Sequence, residues 1–174
     1  MGNLHFQPLT PSLYDDYIKV GTLAYNQHYK HLWPNGDTYT YIKNSFTAEV
    51  LYNEEKDKNT KLFLIVKHTL PIGILKLTNN KNFAHYKTTE TLFLDKIYIT
   101  QEYTGQGIGK AALQFVEAMA KTKSKKVIFL EAMQKGKALN FYLAQDFMIV
   151  GTTKVPFDIV IEEEKPMYVL SKEI

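Results

Sequence analysis

Apolar positions along this chain follow two rhythms, and the switches between them mark the elements. Leu4 to Thr10 alternates and reads as a first strand. Pro11 to Tyr29 carries helical spacing, with Thr10 placed to cap it and Pro11 at the first helical position. HLWPNGD is turn chemistry, and Asp37 is placed to cap a second helix running to about Tyr52. KLFLIVKH and IGILKLTN are strands on either side of a hairpin at Thr69-Leu70-Pro71. A polar connection covers 79–88. A long strand at 91–99, a helix at 108–121, a strand from Val127 to Met133 and a helix at 137–145 follow, then strands around 147–154 and 166–171. With no repeat, linker or low-complexity segment, residues 1–174 are expected to form one α/β domain of the α+β type. It has a central, mostly antiparallel mixed sheet of about seven strands and about four helices on its two faces.

The helix at 108–121 shows its packing directly. Ile108, Ala112, Phe115, Val116 and Met119 recur at offsets 0, 4, 7, 8 and 11, while Lys110, Gln114, Glu117 and Lys121 fall elsewhere. Docking this stripe on a sheet fixes the positive N-terminal end of the helix at the mouth of the preceding strand.

Composition narrows the classes. At 174 residues, 45% hydrophobic and 22% charged, the chain has ordinary globular values. It has no cysteine, which excludes disulfides and thiol nucleophiles. No apolar run approaches the roughly 20 residues that span a bilayer. The start, MGNLHF, lacks a cleavable apolar core, and Phe6 stands where a myristoylation signal needs Ser or Thr. A cytoplasmic protein that binds neither membrane nor nucleic acid is expected, because a net charge of +3 is too small to argue for a polyanion. The five histidines are scattered singly, so no metal site is expected.

The candidate chemistry lies at LFLDKIYITQEYTGQGIGK, Leu92 to Lys110. An apolar strand runs into a loop with Gly105, Gly107 and Gly109, and a helix begins at once. Glycines let backbone approach an anion, and the free N–H groups of a helix start point at it, so this is a phosphate cradle. A Walker loop would have four residues between its first glycine and the Gly-Lys pair, then Ser or Thr. Here three residues separate Gly105 from Gly109, and Lys110 is followed by Ala111. A dinucleotide fingerprint would read G-x-G-x-x-G early in the chain, and this G-x-G-x-G lies past its middle.

The third option is a coenzyme A loop. Thr104-Gly105-Gln106-Gly107-Ile108-Gly109 resembles the acetyl-CoA motif of the GNAT-type N-acyltransferases, [Q/R]-x-x-G-x-[G/A]. Both small residues are present, and Thr104 replaces the usual Gln or Arg. A second block agrees. The family places N-x-x-A-x-x-F-Y-x-x-x-G-F after the next strand, and 135–147 match at Ala138, Phe141, Tyr142 and Phe147. Lys135 stands where Asn is usual and Asp146 where Gly is usual. The resemblance covers about 92–147 closely. It implies a GNAT-like fold, acetyl-CoA as co-substrate and direct acetyl transfer to an amine.

That reaction needs a neutral amine, a polarised carbonyl, alignment, and a proton for the departing thiolate. An alkylamine with a pKa near 10.4 is only about one part in a thousand neutral at pH 7, so a carboxylate base is useful. Aligning the reactants lowers the barrier by several kcal/mol. The resemblance makes Tyr142 the acid, with core packing as the alternative. It implies backbone pairing of the pantetheine arm at Ile97 and Ile99, and polarisation of the carbonyl by the N–H of Ile97 or Tyr98. Phosphate contacts fall to Thr104, Gly105, Gln106, Gly107, Ile108, Gly109 and Lys110, with Lys135 at the position of the missing Asn. For the base, alternation puts Phe93, Asp95, Ile97 and Ile99 on one strand face, which favours Asp95; Glu90, Glu131 and a water-relayed base from elsewhere in the chain are rivals.

The acceptor is less constrained. TLAYNQHYKHLW resembles the polyamine N-acetyltransferase branch of the superfamily, which implies a small polyamine-like amine. Tyr25, Tyr29, Trp33, Tyr39 and Tyr41 would line an acceptor wall, with Tyr29 and Trp33 as the contacts. Ordinary helix packing is the alternative. A peptide or protein amine, and a non-catalytic acyl-CoA-binding module, are the rival functions. A homodimer is compatible with all of them.

Overall fold

The seven strands fall where the alternation places them, and they join one sheet. The computed structural model describes residues 3–174; Met1 and Gly2, where the reading of the N-terminus begins, lie outside them. The strands are β1 (Leu4–Pro8), β2 (Thr60–Lys67), β3 (Leu70–Asn79), β4 (Thr91–Ile99), β5 (Val127–Met133), β6 (Met148–Lys154) and β7 (Pro166–Glu173), in the order β1-β2-β3-β4-β5-β7-β6. Every adjacent pair is antiparallel except β4 with β5, which is parallel.

Five α-helices cover the two faces: α1 (Tyr14–Tyr29), α2 (Tyr39–Ser45), α3 (Ala48–Lys56), α4 (Ile108–Thr122) and α5 (Lys137–Leu143). The expected second helix is two. The chain leaves helical geometry at Phe46 (φ −129°, ψ 62°), and Thr47 caps a new helix by accepting the Val50 N–H at 3.2 Å. Asp37 does meet the start of α2, where its carboxylate accepts the Tyr39 N–H at 3.0 Å. Thr10 precedes a short 3₁₀ turn, Pro11–Leu13, rather than α1 itself.

Each sheet face carries its own core. One holds Leu92, Leu94, Ile128 and Leu130 under α4, whose Ile108, Ala112, Leu113, Val116 and Ala120 are buried. The buried stripe is wider than the sequence indicates, because Phe115 and Met119 lie at its rim; Phe115 stacks on Phe6 at 4.4 Å. The other core packs Tyr17, Tyr25, Trp33, Phe46 and Leu51 against Leu62, Leu64 and Ile74.

A bulge in β4 organises the site. Leu77 pairs with Leu94 and Lys76 with Lys96, leaving Asp95 as the extra residue. The slip reverses the faces beyond it. Ile97 and Ile99 join Leu92 and Leu94 in the α4-side core, while Tyr98 joins the opposite one. The expectation that Phe93, Asp95, Ile97 and Ile99 share a face is therefore corrected: a one-residue insertion inverts a period-2 pattern. Hydrogen-bonding direction inverts with it. Glu90 C=O accepts the Lys126 N–H on the β5 side, and Thr100 N–H bonds Ile72 C=O on the β3 side. Alternation back from Thr100 turns Ile97 and Ile99 toward β5 and Tyr98 toward β3.

β3 must lie very close to β4 at this point. A Cβ on Gly73 would stand 2.4 Å from the Tyr98 carbonyl oxygen and 3.2 Å from Ile99 Cα. Gly73→Ala is expected to lower the denaturant midpoint of unfolding by an overpacking cost of about 1–3 kcal/mol. An unchanged midpoint would show that β3 can shift to make room.

Candidate functional site

The parallel pair opens soon after it forms. Only Thr91, Leu92 and Phe93 pair with Val127, Ile128 and Phe129. Beyond them β4 turns to the glycine loop while β5 continues along β7 to Met133. A wedge results, with the backbone of Ile97 and Ile99 facing its gap. Of the two amides proposed to polarise a carbonyl, the Ile97 N–H is the one directed there, and that of Tyr98 is not. The C-terminal end of α1 closes over the tip of β4. His28 Nε2 donates to Ile99 C=O at 2.8 Å, and Gln27 accepts the Gln101 N–H at 2.8 Å.

At the mouth of the wedge the chain makes a short turn, Gln101–Tyr103, and enters α4 through Gly105 (φ 72°) and Gly107 (φ 79°). Both lie in the left-handed region open to glycine. Among the described residues, no amide from Gly105 to Lys110 has a hydrogen-bond acceptor. Six consecutive N–H groups at the head of a helix 15 residues long are thus left for an anion. Thr104 Oγ1 donates back to Gln101 C=O at 2.8 Å, so it braces the loop. Gln106 is braced too, with its amide nitrogen on Glu102 C=O and its oxygen accepting from Lys67 Nζ at 2.9 Å. Lys110 is exposed on the first turn of α4. Lys67 is a cation beside the cradle that the sequence does not reveal, because it stands 39 residues from Gln106 on another strand.

The second block forms the opposite wall. α5 brings Phe141 under the cradle, where its ring would be 3.1 Å from a Cβ on Gly109. The Tyr142 ring lies tilted at 5.2 Å from Phe141 and edge-on at 5.8 Å from Phe147. It is half-buried, and its hydroxyl has no hydrogen-bond partner among the described residues. Burial first, and then Tyr29, push its pKa above the ordinary tyrosine value, so it stays protonated. Tyr29 belongs to the core on the other sheet face, so the wedge is where the two faces meet. Asp146, where the family has glycine, sits at φ 65°, a conformation that Asp tolerates better than most residues. Lys135, on the turn after β5, is exposed and pairs with Glu164 at 3.2 Å.

Three carboxylates were candidates for the base. Glu90 lies at the closed end of the wedge and is held by Lys126 at 2.6 Å and by the Lys87 N–H at 3.0 Å. Seven residues of strand separate it from Ile97, roughly 20 Å. Its pairing with Lys126, together with the Lys87 N–H, lowers its pKa, as in a structural ion pair, and it does not converge with Tyr142. Asp95, at the bulge, bonds Lys76 Nζ at 3.2 Å, and Lys76 also holds Glu54 at 2.6 Å. Burial opposes the charge of Lys76, but Asp95 and Glu54 outweigh it and raise its pKa. Glu131 is two residues beyond Phe129 on β5, as Asp95 is beyond Phe93 on β4, and those rings lie 4.9 Å apart on one face. The two carboxylates thus belong to the two strands that border the gap. Glu131 is exposed and has no ion pair among the described residues.

The aromatic wall is mostly core. Trp33 is 2% exposed, and its Nε1–H donates to the Tyr25 hydroxyl at 2.9 Å, so it cannot touch an acceptor as expected; it supports Tyr25 from behind. Tyr25 stacks on Tyr41 at 3.7 Å and on Tyr29 at 5.1 Å. Tyr41 and Tyr98 share a 2.7 Å hydroxyl contact. Burial raises the pKa of both, so these hydroxyls remain neutral. Tyr29 and Tyr98 are half-buried and face the wedge region; Tyr39 is exposed and outside the cluster.

A splayed parallel strand pair, an amide cradle at a helix start and an aromatic wall together form a candidate site for an acyl-CoA-dependent transferase. The profile of the Acetyltransferase (GNAT) family matches residues 20–147. The chain belongs to that family and is an acetyl-CoA-dependent N-acetyltransferase. Its fold is similar to that of PaiA N-acetyltransferase from Thermoplasma acidophilum in complex with coenzyme A, with 16% identity, TM-score 0.74 and 99% of each chain covered. A ribosomal-protein-alanine N-acetyltransferase from Brucella melitensis is similar at 15% identity and TM-score 0.71, covering 98% of this chain and 99% of that one. A probable acetyltransferase from Staphylococcus epidermidis is similar at 12% identity and TM-score 0.76, covering 98% of both. Among the described residues, no group of three or more His, Asp or Glu could hold a metal ion, and no helix is long and apolar enough to cross a membrane.

Proposed function

We propose that residues 1–174 act as one cytoplasmic N-acetyltransferase domain that moves acetyl from acetyl-CoA to a primary amine, best a small polyamine-like one. The observation that carries this reading is the wedge itself, which has anion-binding amides at its mouth and carboxylates with neutral tyrosines at its waist. The amides of Gly105 to Lys110, with Lys67 and Lys110 nearby, hold the pyrophosphate. The pantetheine arm pairs with Ile97 and Ile99, and the Ile97 N–H polarises the carbonyl. The cofactor takes its binding energy away from the reacting centre, which is left free for alignment.

Asp95 and Glu131 attract the acceptor cation, and Tyr29 offers it a ring face. Of the two carboxylates, Glu131 is the better base, because Asp95 is committed to Lys76. Glu131 takes the proton from the ammonium, directly or through water. The neutral nitrogen attacks the carbonyl carbon, the C–N bond forms and the C–S bond breaks. The thiolate accepts a hydrogen bond and then a proton from Tyr142, and the second proton released by the acylated nitrogen passes through solvent to restore the Tyr142 hydroxyl. The resemblance of the segment Thr22 to Trp33 to the polyamine branch supports a small acceptor, and similarity to the ribosomal-protein-alanine enzyme makes a peptide amine the second reading. Homodimer formation is part of the same proposal.

The test is a screen of amines with acetyl-CoA, detecting released thiol. Spermidine, spermine and simple diamines are expected to turn over. Activity on a peptide N-terminus alone would replace the acceptor while leaving the transferase.

The pH profile then identifies the base. Wild-type activity should rise with pH as base and ammonium lose protons. Glu131→Gln should lower kcat at neutral pH by roughly 10²-fold or more and steepen the rise, since neutral amine grows about tenfold per pH unit below its pKa. Asp95→Asn should change KM for the amine more than kcat. A Glu131→Gln profile parallel to wild type would return the base role to Asp95 or to solvent.

A further inference from the structure

The last turn of α1 lies where the acceptor side of the wedge meets the cofactor side. Tyr25 and Tyr29, one turn apart, belong to the aromatic wall, and the Tyr29 ring lies 5.5 Å from that of Tyr98 on β4. Between them stand Gln27 and His28. A cationic or imidazole side chain in the last turn of a helix commonly serves the carbonyls of that same helix. His28 instead reaches a residue 71 positions away, the last of β4, where Nε2 donates to the Ile99 carbonyl at 2.8 Å. A carbonyl only accepts, so Nε2 carries the hydrogen.

That carbonyl belongs to the backbone that Ile97 and Ile99 turn into the gap. Among the described residues no side chain bonds the other gap-facing groups of those two residues. Two residues further on, Gln27 accepts the Gln101 N–H at 2.8 Å, and the Gln101 carbonyl accepts from Thr104 Oγ1 at 2.8 Å. Gln101 is therefore tied to α1 on one side and to the glycine loop on the other. The helix, the strand tip and the loop form one hydrogen-bonded joint.

We propose that His28, with Gln27, is a positioning residue that fixes the acceptor wall against the thioester and passes the loading of the wedge to α1. This rests on the binding mode proposed above, with pyrophosphate on the amides of Gly105 to Lys110 and the pantetheine arm along Ile97 and Ile99. In that mode α1 places the acceptor nitrogen and β4 places the carbonyl carbon, so their separation depends on what locks the two elements together. A misplacement of about 1 Å costs on the order of 100-fold in rate. The His28–Ile99 bond is a direct lock. His28 acts through Ile99 and through the tyrosines of its own helix, not on the reacting atoms.

Amide exchange with coenzyme A as the probe tests the joint without an acceptor. In the wild type, coenzyme A should slow exchange at Ile97 and Ile99 and also at Gln27 to Tyr29. In His28→Ala the strand should still respond and the helix should not. His28→Gln should restore the helix response, because its amide nitrogen stands as many bonds from the backbone as Nε2. Should His28→Ala not fold, Gln27→Ala takes its place, with the same expected loss. With spermidine as acceptor, His28→Ala should lower kcat by roughly 10–100-fold and change KM for acetyl-CoA less than kcat, and His28→Gln should recover most of the loss. A purely structural role would lower the unfolding midpoint and leave kcat of the folded enzyme alone. If spermidine does not turn over, exchange decides. Protection of Ile97 and Ile99 with no response in α1, a helix response in His28→Ala equal to wild type, or full kcat in that variant would overturn the proposal and leave the cofactor mode standing. No protection at Ile97 and Ile99 would overturn the cofactor mode and the proposal with it.

Discussion

Gly107→Asp is expected to abolish coenzyme A binding in a protein that still folds. Gly107 holds φ 79° immediately before α4, and the amides around it have no acceptor among the described residues. A left-handed aspartate costs about 1–2 kcal/mol, which a domain of ordinary stability survives. The larger effect is electrostatic. A carboxylate at the head of α4 satisfies those amides from within and repels the pyrophosphate. Affinity should fall by at least about 100-fold, which corresponds to some 2.7 kcal/mol. Gly109→Asp should do the same for a different reason, since its Cβ would press on Phe141 at 3.1 Å and tilt the cradle. Gly105→Ala is the control: it has φ 72° but nothing within 4 Å of an added Cβ, so it should pay only local strain. Titration calorimetry on the folded variants measures all three. Unchanged affinity in both aspartate variants would remove the loop from cofactor binding.

Tyr142→Phe should leave that affinity intact and lower kcat by roughly 10²–10⁴-fold. The hydroxyl has no partner among the described residues, so removing it leaves no buried group there unsatisfied, and the ring contacts with Phe141 and Phe147 remain. Its work comes only when charge develops on sulfur, and therefore appears in turnover. The sign with pH follows. An acid is lost as pH rises through its pKa, and burial raises that of Tyr142. Activity should therefore show no descending limb below about pH 10, the ordinary tyrosine value. Full activity in the Phe variant would make Tyr142 a packing residue.

The strands and the cradle were legible because their signals are local. Period-2 runs bounded by turns placed β4 at 91–99 and β5 at 127–133, where the structure has them. Glycine spacing marked the loop for the same reason. What failed was anything set by more than one segment. The bulge at Asp95 arises from register against Lys76 and Leu77, so strict alternation put Ile97 and Ile99 on the wrong face. Trp33 looked like a substrate contact because aromatic character is visible in a sequence and burial is not. Lys67 was invisible because its partner lies on a loop two strands away. Asp146 is the converse case, since a departure from the family pattern proves conservative once its positive φ is known.

The wedge has a consequence for how the protein lives in the cell. Its sheet is two smaller sheets joined through three residue pairs, Thr91–Phe93 with Val127–Phe129, and among the described residues no strand closes the gap beyond them. On the proposed binding mode, a coenzyme arm lying along Ile97 and Ile99 would supply that strand for the duration of each turnover. The loaded enzyme should then be the more cohesive molecule, by about 2.7 kcal/mol at a ligand concentration of 100 Kd. Its survival against heat and proteases would track the supply of acetyl-CoA, the idle enzyme being more readily degraded than the loaded one.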